Sequence, residues 1–212
     1  EGEGAHGGAG AGVDVDTGEA IDRILGALDK GNTKVQWNAL YAAGSFLKLM
    51  SRETSGDGGG GERESGGSAQ MLTDKVLESI CGLLRRVTNF KVLSHAVNAM
   101  AQLKGGRASF GRHFSDALES VAFILQRRVN IILSSPGRRP AKAKGDATED
   151  LVGQQKSLRY SGILLLMHLV ELAVEGGGGG NEGGADFLQQ QAEWLEDVRK
   201  ELADYGGGEG ED

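Results

Sequence analysis

The sequence predicts an all-α chain, an α-solenoid of stacked antiparallel helix pairs, on three observations. First, apolar residues recur at helical spacing in seven segments, and β-branched alternation is nearly absent. Second, the phrase NTKVQWNALYAA at 32–43 returns as NFKVLSHAVNAM at 89–100, 57 positions on. Asn32, Lys34, Val35, Ala39 and Ala42 then match Asn89, Lys91, Val92, Ala96 and Ala99. Third, the helix before each phrase repeats as well: Ile24, Gly26 and Leu28 align with Ile80, Gly82 and Leu84. A repeated helix pair cannot bury its apolar face alone, so stacking must supply the core.

The elements follow in order. Asp16 with Glu19 fits a capping box, and Ile21, Ile24, Leu25 and Leu28 continue it as a helix that Gly31–Asn32 stops. Lys34 to about Met50 is the second helix, with Val35, Ala39, Ala42, Phe46 and Leu49 on its core face. The third runs from about Gln70 to Val87 and the fourth from about Asn89 to Leu103. Asn32 and Asn89 occupy the tight turns, where Asn caps the next helix. Val35 and Val92 are expected between the two helices of their repeats, and the matched alanines are small enough for close helix approach. The fifth helix runs from about Phe114 to Leu133, the sixth from about Glu149 to Val174 and the seventh from Ala185 to about Asp204. In the sixth, SLRYSGILLL at 157–166 is a decayed third copy, with Leu158 at the Val position and Gly162 at an Ala position.

Of 36 glycines, 24 fall in four segments: 1–12, 55–68, 176–184 and 206–210. Glycine runs carry the largest backbone entropy and no side chain to bury. The expected organisation is therefore a disordered tail at 1–15, helical repeats over 16–204 (about 16–50, 69–103 and 112–174, with a final helix at 185–204), inserts at 55–68 and 176–184, and a second disordered tail at 205–212. Pro136–Gly145, with both prolines, reads as a mobile connection. The chain opens without Met in a glycine tract, so it is expected to belong to a longer solenoid.

The period of the pair is about 41–42 residues where no insert intervenes: LES recurs from 77 to 118 and RRV from 85 to 127. That spacing belongs to the HEAT/armadillo class. The phrase Lys34-Val35-x-Trp37-Asn38-Ala39-x-Tyr41-Ala42, with NFKV at 89–92, Gly105-Gly106-Arg107 and SLR at 157–159, resembles the carboxy-terminal region of the HEAT repeat-containing protein 6 family. The resemblance covers about residues 32–174, and the glycine tracts depart from it. It implies an α-solenoid that binds proteins, and no catalytic residues.

The chemistry-bearing residues say little against this. A net charge of −7 argues against a dedicated nucleic-acid binder. One cysteine, Cys81, forms no intrachain disulfide and suits a reducing compartment, so an intracellular location, cytoplasmic or nuclear, is expected. GEGAHG at 2–7 matches G-x-G-x-x-G in a glycine tail, where neither strand nor helix frames it. His6, His95, His113 and His168 have no ligand spacing with Cys81 or one another, so no metal or cofactor is expected. No pair of titratable groups stands at catalytic spacing, so no enzyme is expected. The apolar run at 163–174 is broken by His168 and Glu171 and is too short for a membrane span.

Two surfaces remain. The second helices of successive pairs present Trp37, Asn38, Tyr41, Ser45 and Lys48, then Ser94, His95, Asn98 and Gln102, then Arg159 near Gln155 and Tyr160. This is a candidate protein-binding groove, in which Trp37 and Tyr41 are either anchors or contacts to a neighbouring repeat. The alternative surface is a basic edge of Arg85, Arg86, Arg127 and Arg128 for nucleic acid or an acidic partner. Favourable charge at helix C-termini explains those arginines equally well.

Overall fold

The structure is a computed structural model that describes residues 14–54, 66–133, 145–175 and 187–206. Among the described residues every regular element is helical and there is no strand. The helices are α1 (Asp14–Lys30), α2 (Thr33–Thr54), α3 (Gly66–Arg86), α4 (Phe90–Met100), α5 (Arg107–Phe110), α6 (Phe114–Leu133), α7 (Gly145–Glu175) and α8 (Ala192–Gly206). A single 3-10 turn, Gly111–His113, joins α5 to α6. Most of 1–15, 55–68, 136–145, 176–184 and 205–212 lies outside the described residues, and with it the expected tails, inserts and mobile connection.

The helices form two rows. α1, α3 and α6 pack side by side in that order, and α2, α4 and α7 do the same. Each pair also packs across the rows: α1 on α2, α3 on α4 and α6 on α7. α8 lies on α7. Between the rows runs one apolar core, with Leu28, Leu40, Leu47, Leu77, Ile80, Leu84, Leu93, Met100, Leu118, Ile163 and Leu166 all buried.

Local sequence sets the helix starts. Asn89 is extended and its side-chain oxygen accepts from the backbone N–H groups of Lys91 (3.0 Å) and Val92 (3.2 Å). Asn32 does the same for Val35 at 3.1 Å. Asn89 thus satisfies two, and Asn32 one, of the donors that a first helical turn leaves without a partner in the helix. α1 begins at Asp14, three residues before the Thr17 start that the capping box implies, so Asp16 lies inside the helix and Glu19 pairs with Arg23 at 2.6 Å.

Equivalent residues do not meet equivalent surroundings. Val92 is fully buried, as expected, but Val35 is 42% exposed. Leu49, placed on the same core face, is 52% exposed. The reason is position in the row. α4 is covered on one flank by α2 and on the other by α7, whereas α2 meets α4 on one flank only among the described residues. Val35, Ala42 and Leu49 follow one another at seven-residue steps along the uncovered stripe. The inward stripe of α2 is instead Leu40, Ala43 and Leu47, with Ala39 and Phe46 at its margins.

Small residues set the spacing within the second row and between the rows. A Cβ added to Gly44 would lie 3.1 Å from the Ala99 Cα, so α2 and α4 touch almost backbone to backbone there. Gly162 of α7 stands as close to Leu125 of α6, at 3.0 Å. This is the close approach that the matched small positions imply.

The connection after α4 holds structure that the periodicity does not reveal. Arg107–Phe110 forms a one-turn helix, and Gly111 then takes φ 52°, a left-handed conformation that favours glycine. That reversal drives Phe110 and Phe114 together into the core, edge to face at 6.0 Å. The Arg107 guanidinium covers the Phe114 ring at 4.9 Å.

α7 deserves separate mention for its apolar length. Although 163–174 is broken as an apolar run, Val152–Glu175 as a whole has the length and composition to cross a membrane. In the fold Leu158, Ile163, Leu165, Leu166 and Leu169 of this helix are buried, and it packs on α4, α6 and α8. Burial against other helices covers one side of it, while Val152, Leu164 and Val174 stay exposed.

Candidate functional site

The second row carries an open cleft of about 380 Å³ between α2 and α4. Its floor is Leu40, Gly44 and Ala99, and its walls are Tyr41, Ser45 and Lys48 from α2 and His95, Asn98 and Gln102 from α4. The cleft exists because Gly44 and Ala99 have too little side chain to fill the angle where the two helices touch. Six of the expected groove residues, Tyr41, Ser45, Lys48, His95, Asn98 and Gln102, line this one concavity.

Trp37 and Tyr41 have different surroundings. Trp37 is half-buried one turn beyond the end of the cleft. Its ring meets the His95 ring at 5.2 Å, tilted by 57°. The Lys91 ammonium sits 3.4 Å from its centroid, a cation–π contact. Trp37 is thus a contact between neighbouring helices of the row. Tyr41 is 75% exposed at the mouth of the cleft. Asn38 is exposed and outside the lining.

Arg159 lies elsewhere. Its Nε and a terminal nitrogen donate to the two carboxylate oxygens of Glu201, forming a bidentate pair that fastens α8 to α7. Sequence spacing places Arg159 at a groove register and gives the last helix, but not its docking on Arg159 through Glu201, 42 residues further on.

The basic edge is also engaged within the fold. Arg86 donates to the Leu28 carbonyl at 3.3 Å and pairs with Asp29 at 3.5 Å, so α3 closes the C-terminal end of α1. Gln36 donates to the same carbonyl at 3.0 Å. Arg85 turns the other way, to Asp116 at 3.3 Å and Glu119 at 3.5 Å at the start of α6. These two arginines staple α3 to both neighbours in the first row. Arg127 is exposed, with its guanidinium 5.6 Å from the Phe123 ring. The Arg128 side chain lies outside the described residues.

Among the described residues two titratable groups are perturbed. His95 is held below its usual 6.5, first by burial against the cleft wall and second by the charge of Lys91 one turn away. Burial pushes the Cys81 thiol up to about 11, with the Ser120 hydroxyl opposing it in part. A thiol so placed stays protonated and is a core residue, not a nucleophile. No group of three His, Cys, Asp or Glu side chains suited to a metal occurs among the described residues.

Lys91 is the cleft neighbour that periodicity misses. It belongs to the repeated phrase and reads as a matched structural position. Only the pairing of α4 with α2 brings it over Trp37. The chain matches no family model, no curated protein and no solved structure.

Proposed function

We propose that the chain is a non-catalytic α-solenoid of HEAT type, acting without cofactor as an intracellular scaffold, cytoplasmic or nuclear, and binding a protein partner through its second-row helices. The resemblance to HEAT-repeat proteins rests on the repeated phrases, their period and the motifs at 105–107 and 157–159. Two rows of helices packed in matching order support it independently. One observation carries the binding reading: Tyr41, an aromatic 75% exposed, stands at the mouth of a cleft built between consecutive helices of one row. Tyr is common among interface anchors, and an exposed ring beside a concavity offers area with little conformational entropy to lose.

The alternative, nucleic-acid or acidic-partner association through Arg85, Arg86, Arg127 and Arg128, is the weaker reading. Arg85 and Arg86 already hold carboxylates of neighbouring helices, which lowers the net field of that edge.

The test is selection of a random-peptide library on the full chain, followed by titration of the recovered peptides against Tyr41→Ala and Asn98→Ala. A cleft ligand should lose about 1–3 kcal/mol with Tyr41→Ala, at unchanged thermal stability. Recovered peptides that bind both variants as tightly as the parent would remove the cleft from consideration.

A further inference from the structure

Over the first two helix pairs the carboxylates, but not the cations, concentrate in the first row. α1 carries Glu19, Asp22 and Asp29, α3 carries Asp74 and Glu78, and α6 opens with Asp116 and Glu119. α2 from Thr33 to Ser51 and the whole of α4 contain no carboxylate. Their charged residues are Lys34, Lys48 and Lys91, with His95 between. In a chain of net charge −7, a carboxylate-free face is a local departure. First-row carboxylates find cations: Asp29 meets Arg86, Asp22 meets Lys75 and Asp74 meets Arg112. Among the described residues, neither Lys48 nor Lys91 pairs with a carboxylate.

Lys48 lines the cleft, and Lys91 stands over Trp37 one turn beyond its other end. Trp37 meets His95, Gly44 meets Ala99, and Ser51 accepts from the Lys104 N–H, so α2 and α4 run parallel. Lys91 is level with Trp37, and Lys48 lies 11 residues along the same helix. At about 1.5 Å per residue that is about 16 Å. An extended chain advances about 3.3 Å per residue, so about five residues span it.

Resting on the cleft reading above, we infer that the α2–α4 cleft takes an extended acidic peptide. Two carboxylates about five residues apart meet Lys91 and Lys48, and a small apolar side chain between them sits on Leu40, Gly44 and Ala99. Asn98 and Gln102 offer amides to the peptide backbone along one wall. A protein segment fits better than a nucleic acid. Two lysines match two carboxylates, whereas a phosphate backbone brings a charge with every nucleotide and draws on many cations. The apolar floor likewise suits a side chain and not a phosphate.

The probe is a fluorescein-labelled nonapeptide with Glu at positions 2 and 7 and Val at position 5 in a Ser/Ala background, titrated onto the full chain. Its controls are the same peptide with Gln for both Glu, a version with the two Glu adjacent, and a single-stranded decanucleotide. Trp37 emission in a Trp194→Phe background reports occupancy of the cleft. The spaced-Glu peptide should bind and change that emission. Lys48→Gln and Lys91→Gln should each weaken it about tenfold, the loss of one charge-assisted contact, and leave the Gln peptide unaffected. If the Gln peptide binds equally well and Tyr41→Ala weakens both, the acidic preference is wrong and the cleft reading stands. If the adjacent-Glu peptide matches the spaced one, the spacing is wrong. If no peptide changes Trp37 emission up to millimolar concentration, or if the decanucleotide displaces the peptide, the inference falls.

Discussion

Val35 and Val92 occupy the same place in the repeated phrase, so shortening each to Ala isolates what the neighbouring helix contributes. Val92 is fully buried. Removing its two methyl groups forfeits about 0.8 kcal/mol each in transfer free energy, about 1.6 kcal/mol in all. A residual cavity of about 40 Å³ adds about 1 kcal/mol at 24 cal/mol per Å³. Ala is the better helix former by about 0.5 kcal/mol, which offsets part of this. The net cost is about 2 kcal/mol. Val35 is 42% exposed, so it loses only part of the transfer energy and leaves no closed cavity. That part, about 0.9 kcal/mol, less the same propensity gain, leaves about 0.5 kcal/mol. Urea denaturation followed by far-UV circular dichroism measures the difference. With a slope of about 2 kcal/mol per molar, Val92→Ala should lower the midpoint by about 1 M and Val35→Ala by about 0.2 M. Equal shifts for the two variants would refute the reasoning, because they would mean that the outer flank of α2 is covered.

Further expectations concern close approach and protonation. Gly44→Ala puts its Cβ about 3.1 Å from the Ala99 Cα, and the strain of about 1–3 kcal/mol cancels or exceeds a propensity gain of about 1 kcal/mol. Gly153→Ala in α7 meets nothing within 4 Å and should stabilise by up to about 1 kcal/mol. Melting temperatures that rise alike for both would show that α2 and α4 are not in contact at Gly44. His95 should titrate below 6.5 by NMR, and Lys91→Gln should raise it by removing the nearer charge. Lys91 on its own helix, with Lys48 and Tyr41 across the cleft, are the titratable groups around it. Because its folded value is depressed, His95 leaves stability unchanged above pH 6.5. It lowers stability as pH falls from 6.5 to the folded value, where the unfolded chain binds the proton first. A measured value at or above 6.5 would contradict the placement of His95 against Trp37 and Lys91.

Local interactions made much of this architecture legible in the amino-acid order. Asn32 and Asn89 cap their helices through contacts two or three residues away, and α6 begins at Phe114 and ends at Leu133 as its periodicity implies. Those forces act within one or two turns, so a single stretch of chain contains them. Small residues at Ala99 and Gly162 likewise advertise close packing before any partner is known, whereas the part of Gly44 shows only in the fold. The sequence also marks one face of the second helices as polar and aromatic, and Tyr41, Lys48, His95 and Asn98 do converge on one cleft. What the tertiary structure alone decided is which copy of a repeated residue finds a neighbour. Val92 is sandwiched and Val35 is not. Trp37 stacks on the next helix of the row while Tyr41, one turn on, faces solvent. Arg85, Arg86 and Arg159 each meet a carboxylate from a distant part of the chain. The physical reason is common to all of them. Periodicity records which face of a helix is apolar, whereas burial and charge pairing depend on what lies across that face, and that is set by the stacking order of the whole chain.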